Sequence, residues 1–377
     1  MRIGVVTDER IAVRDGRLVS RVPLTGHFLE LLSMKDNNVQ FLCREWRGSG
    51  GAEVEVSSLF EVTALPDWHL LTAFYALPRV FQTARRWMKG RRTVVIVLPT
   101  LSGLAVGLMA VFFRRHAGSP PGAQIVTINR SFGSNSVLLR FSGIARFALS
   151  LALKCADAAY GAINRTSVVA LFVSESLAAP HTMENAVIAP EIDWAALESF
   201  ERTEPRRNRV LFIGRLELEK NPRLALEAFA AANLPNFEIC FVGEGSLRFE
   251  LTDAARSWEI DRVTFTGLLP HREVLQLMAT SQLVLIPSLT EAFGLVAFEA
   301  TALGASVIHS GRGGLPEAVG DSDLAHQVDG LSASAWALAL QNVLNTARPL
   351  EETTTKNLQA LRSERGWKTL REVLSQV

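Results

Sequence analysis

Short apolar runs alternate with helical segments through the second half of the chain, and this alternation constrains the fold more than any other feature. Runs of four to six apolar residues between turn residues are typical of strands buried on both faces. Strands are predicted at residues 209–213, 237–242, 262–266, 283–286 and 306–309. The helices predicted between them cover residues 221–232, 246–258, 271–280 and 295–303. Such alternation indicates a parallel sheet with helices on both faces.

The first half shows the same alternation less regularly. Strands are predicted at residues 3–7, 93–98, 124–128 and 168–173, with an apolar helix at 102–114. Asp15-Gly16 suits a tight two-residue turn, so residues 11–20 predict a hairpin directly after the first strand. We therefore expect two doubly wound α/β domains facing a central cleft, with ligands beyond the carboxyl ends of the strands.

Length and charge narrow the function classes. A chain of 377 residues is long enough for about two domains. With 39 Lys and Arg against 38 Asp and Glu, the net charge of +1 argues against a strongly basic nucleic-acid binder. The three cysteines, Cys43, Cys155 and Cys240, form no CxxC motif, which argues against a zinc site and fits a reducing compartment. No apolar run reaches the length of a membrane-spanning helix, so a cytoplasmic location is expected.

A polar stretch at residues 199–208, rich in Glu and Arg, has the composition of a linker. It predicts an N-terminal domain over residues 1–195 and a C-terminal domain over residues 205–358. The charge of the halves differs in sign, since residues 1–195 carry a net +6 and the remainder a net −5.

Two carboxylates stand out in the segment PSLTEAFGLVAFEATALGASVIHSGRGGLPE, residues 287–317. Glu291 follows a predicted strand, Gly294 opens a helix, and Glu299 lies about one turn inside it. Free N–H groups at a helix start attract an anion, and carboxylates beside them can accept hydrogen bonds from sugar or ribose hydroxyls. The alternative is structural, with Glu291 as a helix cap and Glu299 as a solvated helix residue.

Basic and glycine residues follow two other predicted strands of this sheet. Gly214, Arg215 and Lys220 lie in FIGRLELEKNP, where an Arg and a Lys can neutralise a diphosphate without a metal ion. The alternative is an ordinary basic loop. Gly243-Glu244-Gly245 forms a tight turn after the next strand, although Arg248 occupies the place of the third glycine of a dinucleotide fingerprint.

In combination, the motifs GRLxxxK, VGxG, FTG, PSxxExFGxxxxEA and GGxPE resemble the nucleotide-sugar-binding domain of the retaining GT-B glycosyltransferases, the bacterial "group 1" family. The resemblance covers residues 210–319. It implies catalytic roles for three residues: Arg215 and Lys220 on the donor diphosphate, and Glu291 on hydroxyls of the transferred sugar.

The same resemblance implies further donor contacts. Glu299 would bond the ribose, and the turn beginning at Leu268 would lie near the base. The remaining expected donor-binding positions contribute backbone and turn geometry, and they are Gly214, Gly243, Phe293, Gly294 and Leu295.

The first half follows the family pattern less closely. The glycine-rich loop of the family is reduced here to Thr25 and Gly26, which we expect in an acceptor or phosphate loop. Many members have a His after the strand at 124–128, whereas this chain has Asn129-Arg130. The C-terminal segment resembles the family's final helix, which is expected at about 360–377, joined to the first domain and anchored by Trp367.

The resemblance implies a retaining glycosyltransferase that moves a sugar from a nucleotide diphosphate sugar to an acceptor hydroxyl, in bacterial surface polysaccharide or glycolipid assembly. No metal and no other cofactor is expected, because Arg215 and Lys220 supply positive charge. The alternative is a non-catalytic nucleotide-sugar-binding partner in a glycan-assembly complex.

A basic stretch at residues 68–92 holds six Lys and Arg among aromatic and aliphatic residues, with no acid. A basic amphipathic surface can dock on anionic lipid, which predicts a peripheral membrane enzyme with a sugar or lipid-linked acceptor. The alternative is that the apolar residues face the core while the arginines face solvent.

Overall fold

A computed structural model describes residues 2–15, 17–20, 32, 38–45, 52–54, 59–65, 73–88, 93–116, 124–130, 143–180, 184–202, 204–346 and 365–376. The chain divides into two compact units, and the division falls between Glu191 and Ile192. Residues 366–377 belong to the first unit, although they follow the second in sequence.

Within its described residues, the first unit contains a nine-stranded sheet whose central strands are parallel. Its strands are β1 (Arg2–Arg14), β2 (Arg17–Ser20), β3 (Asn38–Glu45), β4 (Ala52–Val54), β5 (Leu59–Leu65), β6 (Thr93–Leu98), β7 (Gln124–Asn129), β8 (Val169–Phe172) and β9 (Ala186–Ile188). The parallel order is β5-β3-β1-β6-β7-β8-β9, and β2 and β4 extend the far end of β1 in antiparallel register.

The helices of the first unit are α1 (Ala73–Met88), α2 (Leu101–His116), α3 (Gly143–Thr166) and α4 (Glu175–Ala178), and α12 (Leu370–Ser375) returns to this unit from the end of the chain. Leu370, Val373 and Leu374 of α12 are buried in the same apolar core as Ile3 and Val5 of β1. The N–H of Lys368 donates to the carbonyl of Ile188, and Trp367 is buried beside it. The chain end is therefore part of the core of this unit.

The described part of the second unit contains a six-stranded parallel sheet. Its strands are β10 (Arg207–Ile213), β11 (Glu238–Val242), β12 (Val263–Gly267), β13 (Ser281–Ile286), β14 (Ser306–His309) and β15 (Ala325–Gln327). Their order is β12-β11-β10-β13-β14-β15, which is the doubly wound order of nucleotide-binding sheets.

The helices of the second unit are α5 (Trp194–Glu198), α6 (Pro222–Ala232), α7 (Arg248–Ser257), α8 (His271–Ala279), α9 (Leu295–Ala302), α10 (Leu315–Val319) and α11 (Ala333–Thr346), with a 3₁₀ turn at Leu218–Lys220. The core packs Phe212 and Phe241 of the sheet against Leu226 of α6 and Trp336 of α11. Trp336 is fully buried and its indole N–H donates to the carbonyl of Gly330.

Most sequence-predicted elements are present, and the two parallel α/β sheets confirm the predicted fold class. The hairpin also forms, since Arg14 pairs with Arg17 across a turn in which Asp15 has a φ of 48°. Within residues 365–376 the final helix covers only Leu370–Ser375, and residues 360–364 of the predicted helix lie outside the described residues. It begins only after Thr369, because the side chain of Thr369 accepts from the N–H of Glu372 while that of Glu372 accepts from the N–H of Thr369.

Helix α1 lies in the basic stretch for which membrane docking is predicted. Val80, Ala84 and Trp87 are buried, as their spacing on one helix face requires, while Arg79 and Arg86 are exposed. The described apolar face of α1 is therefore used for core packing, as the structural alternative predicts. No helix within the described residues is long and apolar enough to cross a membrane.

Three glycines at the carboxyl ends of β10, β11 and β12 allow the strands to approach one another closely. Gly243 has a φ of 133°, and its N–H donates to the carbonyl of Gly267 at 2.8 Å. A Cβ on Gly243 would lie 2.1 Å from the carbonyl oxygen of Gly214. The strand ends that carry Gly214 and Gly243 can therefore be adjacent only if position 243 lacks a side chain.

We predict that Gly243→Ala lowers the free energy of unfolding by about 3 kcal/mol or more, since it combines backbone strain with a backbone clash. Gly330→Ala is the matched control, because Gly330 also has a positive φ of 82° but a Cβ there would meet nothing within 4 Å. The control should lose only about 1–2 kcal/mol. Equal losses in chemical denaturation of the two variants would contradict the close approach.

Candidate functional site

Two of the predicted catalytic residues meet at the point where the strand order of the second sheet reverses. β10 and β13 are neighbours, but the chain leaves their carboxyl ends in opposite directions, which opens a crevice. Lys220 follows β10 and Glu291 follows β13, and Lys220 Nζ lies 2.5 Å from Glu291 Oε1. The side chains are 22% and 14% exposed, so the pair is partly buried but within reach of a ligand.

Local backbone structure brings these two loops together. Gly214 ends β10 with a φ of 147°, and the 3₁₀ turn then carries Lys220 back toward the sheet. The N–H of Leu289 donates to the carbonyl of Glu219 at 2.8 Å, which joins the loop after β13 to the 3₁₀ turn. The position of Lys220 beside Glu291 therefore follows from backbone geometry as well as from charge attraction.

Arg215 presents its charge to solvent at the same edge. Its side chain is 64% exposed, and Nη2 lies 2.7 Å from Oε1 of Glu219, which is only 3% exposed. The buried carboxylate of Glu219 thus fixes the position of the exposed guanidinium. Sequence reasoning missed Glu219, although its four-residue separation from Arg215 is a common spacing for ion pairs.

The paired glycines of the GGxPE motif form the support for the Glu291 loop. The N–H of Gly314 donates to the carbonyl of Glu291 at 3.1 Å. A Cβ on Gly313 would lie 1.8 Å from that same carbonyl oxygen, and one on Gly314 would lie 2.5 Å from the carbonyl oxygen of Ala292. These two positions must lack side chains for Glu291 to keep its place.

Helix α9 begins directly after this loop. Gly294, with a φ of 105°, is its N-cap, and Leu295 is its first residue. Phe293 is buried and lies near Phe298, with ring centroids 6.3 Å apart. Glu291 is therefore not the cap of α9, so the structural alternative for that residue is wrong.

Glu299 is also not a solvated helix residue, because it is 7% exposed. Its Oε1 lies 2.9 Å from Nε2 of His271, the first residue of α8. The hydrogen bond to Glu299 raises the pKa of His271, burial of the ring opposes this, and the charges of Glu299 and Asp193 add to the increase. Sequence reasoning missed His271, since nothing in the spacing of the two residues predicts their contact.

The turn after β12 contains the position expected near the nucleotide base. Leu268 is 76% exposed, directly after Gly267. On β12 itself, the ring centroid of Phe265 lies 5.1 Å from the guanidinium of Arg248, and Arg248 also pairs with Glu244 at 3.0 Å. The role of Leu268 near the base stays a prediction.

In the first unit, the residues at the position of the family's His have structural partners. The amide of Asn129 is buried and donates to Leu171 O at 3.0 Å, and it exchanges hydrogen bonds with the amide of Asn164. Arg130 Nε donates to Glu191 Oε1 at 2.7 Å. Thr25 and Gly26 lie outside the described residues, so their predicted role remains a prediction.

A metal site needs several side chains that can coordinate the ion to lie close together. Among the residues that the structure describes, no group of three or more His, Cys, Asp or Glu side chains is arranged to hold a metal ion.

Part of the chain is similar to a known protein family. The family model "Glycosyl transferases group 1" matches residues 196–359. Glycogen synthase of Mycobacterium tuberculosis is 33% identical over 203 residues, which cover 52% of this chain and 49% of that protein. The chain therefore spans about half the length of this curated relative.

Solved structures share the fold over almost the whole chain. Sucrose-phosphate synthase from Thermosynechococcus elongatus aligns with a TM-score of 0.66 and 18% identity over 97% of this chain and 96% of that one. HepE from Anabaena, solved with UDP and glucose, aligns with a TM-score of 0.64 and 18% identity over 100% of both chains. The chain has the GT-B fold of these neighbours, and its residues 196–359 are similar to the glycosyl transferases of group 1.

Proposed function

We propose that the chain is a retaining glycosyltransferase that transfers a sugar from a nucleotide diphosphate sugar to an acceptor hydroxyl. The observation that carries this proposal is the Lys220–Glu291 pair at the reversal point of the second sheet, beside the exposed cation of Arg215. Two cations that can bind a diphosphate thus lie next to a carboxylate that can bind sugar hydroxyls. A nucleotide sugar carries both of these groups side by side.

The two cations stabilise the charge that develops on the leaving group. As the bond between the anomeric carbon and the diphosphate oxygen breaks, negative charge accumulates on the diphosphate. In this proposal the partly buried Lys220 and the solvent-exposed Arg215 stabilise that charge, and cations held in place beforehand do so without reorganisation. Lys220 then shifts part of its interaction from Glu291 to the phosphate.

Glu291 and the glycine support fix the transferred sugar. The carboxylate of Glu291 accepts hydrogen bonds from sugar hydroxyls, and its loop rests on Gly313 and Gly314. The acceptor oxygen forms its bond to the anomeric carbon on the face that the diphosphate leaves, and its proton goes to the departing phosphate oxygen. The configuration is retained, and the contribution of the protein is positioning and electrostatics.

UDP-sugars are the first donors to test, because HepE was solved with UDP and glucose. For the acceptor we propose a sugar or lipid-linked glycan of bacterial surface polysaccharide or glycolipid assembly. The exposed arginines of α1, Arg79 and Arg86, support an anionic membrane surface as the place where such an acceptor is met.

A non-catalytic nucleotide-sugar-binding partner is the second candidate. Asn129 favours it, since the amide at the position of the family's His is buried in hydrogen bonds with Asn164 and Leu171. Turnover separates the two functions, because a binding protein would hold the donor without transferring or hydrolysing its sugar.

We predict that one nucleoside diphosphate among UDP, GDP, ADP and TDP stabilises the protein, whereas CMP does not. A ligand at one hundred times its Kd adds about 2.7 kcal/mol to the free energy of unfolding. Lys220→Ala and Arg215→Ala should each weaken binding about 10–100-fold, since each removes a charged hydrogen bond to phosphate. Thermal denaturation with each nucleotide measures this.

Arg223→Ala is the matched control for these variants. Arg223 is an exposed cation three residues after Lys220, and it pairs with Glu227 and Glu250 on the surface. It should keep the nucleotide response of the parent. Stabilisation by no nucleoside diphosphate, or unchanged binding by Lys220→Ala and Arg215→Ala, would contradict the proposed site.

Transfer should not depend on a divalent cation, because Lys220 and Arg215 supply the positive charge. The expected result is an unchanged rate after exhaustive treatment with a chelator, measured as nucleoside diphosphate release from the selected donor. A rate that falls on chelation and returns with Mg²⁺ or Mn²⁺ would contradict metal independence.

Binding to anionic vesicles should depend on the exposed face of α1. Each basic residue near an anionic surface contributes about 1 kcal/mol, so the double variant Arg79→Gln, Arg86→Gln should bind about 30-fold more weakly. The control removes two exposed arginines of the second unit, Arg223 and Arg256. Vesicle binding is measured by co-sedimentation. Binding that does not change with the anionic lipid content, or an equal loss of binding in the control, would contradict membrane docking by α1.

A further inference from the structure

His271 lies between two carboxylates that come from different elements. Its Nε2 is 2.9 Å from Glu299 Oε1, and its Nδ1 is 3.8 Å from Asp193 Oδ2. Asp193 is itself fixed, because its Oδ1 accepts from the N–H of Ala196 at 3.0 Å and caps α5. The imidazole thus has a defined orientation, with one nitrogen on the buried Glu299.

Aromatic packing holds these elements in place. Trp194, next to Asp193, meets Phe298, next to Glu299, edge to face with ring centroids 5.7 Å apart. This contact fixes α5 against α9, so the distance between the two carboxylates is set by packing and not by the His271 side chain alone. His271 then occupies a preformed position between them.

The hydrogen bonding of Glu299 is asymmetric. Oε1 is occupied by His271, whereas Oε2 has no hydrogen-bond partner among the described residues. A carboxylate that is 7% exposed and has one oxygen unused has the chemistry to accept from a ligand hydroxyl. Holding one oxygen also restricts rotation of the carboxylate, which fixes the direction of the other.

We propose that His271 is a positioning residue for the donor, holding Oε1 of Glu299 so that Oε2 accepts from a ribose hydroxyl. This inference rests on the proposed function, since it assumes that a nucleoside diphosphate binds beside Glu299. Its consequence is that His271 determines the preference of the site for ribose over deoxyribose, without touching the donor itself.

The experiment compares affinity for a nucleoside diphosphate with affinity for its 2′-deoxy and 3′-deoxy analogues, by calorimetric titration of the full chain. Glu299→Gln, titrated in parallel, shows whether Glu299 contacts the 2′ or the 3′ hydroxyl of the ribose. His271→Ala should reduce the ribose preference about 5–10-fold, since a hydrogen bond to a freed carboxylate is weaker and less well aimed. His271→Gln should keep the preference within about twofold of the parent, because its amide N–H can replace Nε2.

Arg272→Ala serves as the control, since Arg272 is the exposed residue that follows His271 on α8. It should keep the ribose preference of the parent. His271→Leu replaces His271→Ala if the smaller side chain prevents folding. A ribose preference unchanged in His271→Ala, or in His271→Leu where that variant replaces it, would overturn the proposal, and so would a loss in His271→Gln equal to that in the apolar variant.

The failure of this inference is distinguishable from failure of the proposed function. If the parent binds no nucleoside diphosphate, the proposed function itself is wrong. If the parent binds the ribonucleotide and Glu299→Gln abolishes the ribose preference while His271→Ala does not, only the role of His271 is wrong.

Discussion

The ion pair between Lys220 and Glu291 depends on a topological constraint. Parallel strands all end at one edge of a sheet, and only where the strand order reverses do neighbouring loops diverge and leave room for a ligand. β10 and β13 are that pair in the second unit, and their loops carry Lys220 and Glu291. The charged groups are 71 residues apart in sequence and adjacent in space because the sheet is wound in both directions from β10.

Close backbone approach is the second constraint, and glycines satisfy it. Gly243 allows the ends of β10 and β11 to meet, and Gly313 and Gly314 bring the loop after β14 against the Glu291 loop. In each case the atom that a Cβ would strike is a backbone carbonyl oxygen, which cannot rotate away. The glycines of the VGxG and GGxPE motifs are therefore explained by sterics of the protein itself, before any ligand is considered.

The sequence predicts five of the six described strands of the second unit to within two residues at each end, because strands buried on both faces are continuous apolar runs. The edge strand β15 was not predicted. β14 has its predicted bounds, and β13 begins two residues earlier than predicted. Four strands of the first unit, β3, β4, β5 and β9, were not predicted. β3 contains Gln40 and Arg44, and β5 contains Glu61, so their apolar patterns are interrupted.

The site residues also divide into those that the sequence predicts and those that it does not. The sequence places Lys220 and Glu291 at one sheet edge, since both follow strands of one parallel sheet. The ion pair of Arg215 and Glu219 was missed although it is local, since their four-residue separation is a common ion-pair spacing. The contact of His271 with Glu299 could not be predicted, because it depends on how α8 packs against α9 and the two residues are 28 positions apart.

In the proposed function, the crevice at the ends of β10 and β13 divides the donor between two residues, with the diphosphate on Lys220 and the transferred sugar on Glu291. The most direct measurement is the Kd of the Glu291→Gln variant for the nucleoside diphosphate and for the corresponding nucleotide sugar. The account predicts that the nucleoside diphosphate binds within about threefold of the parent, while the affinity that the sugar adds is lost. An equal loss for both ligands would contradict the account, because Glu291 would then act on the whole donor and not on its sugar.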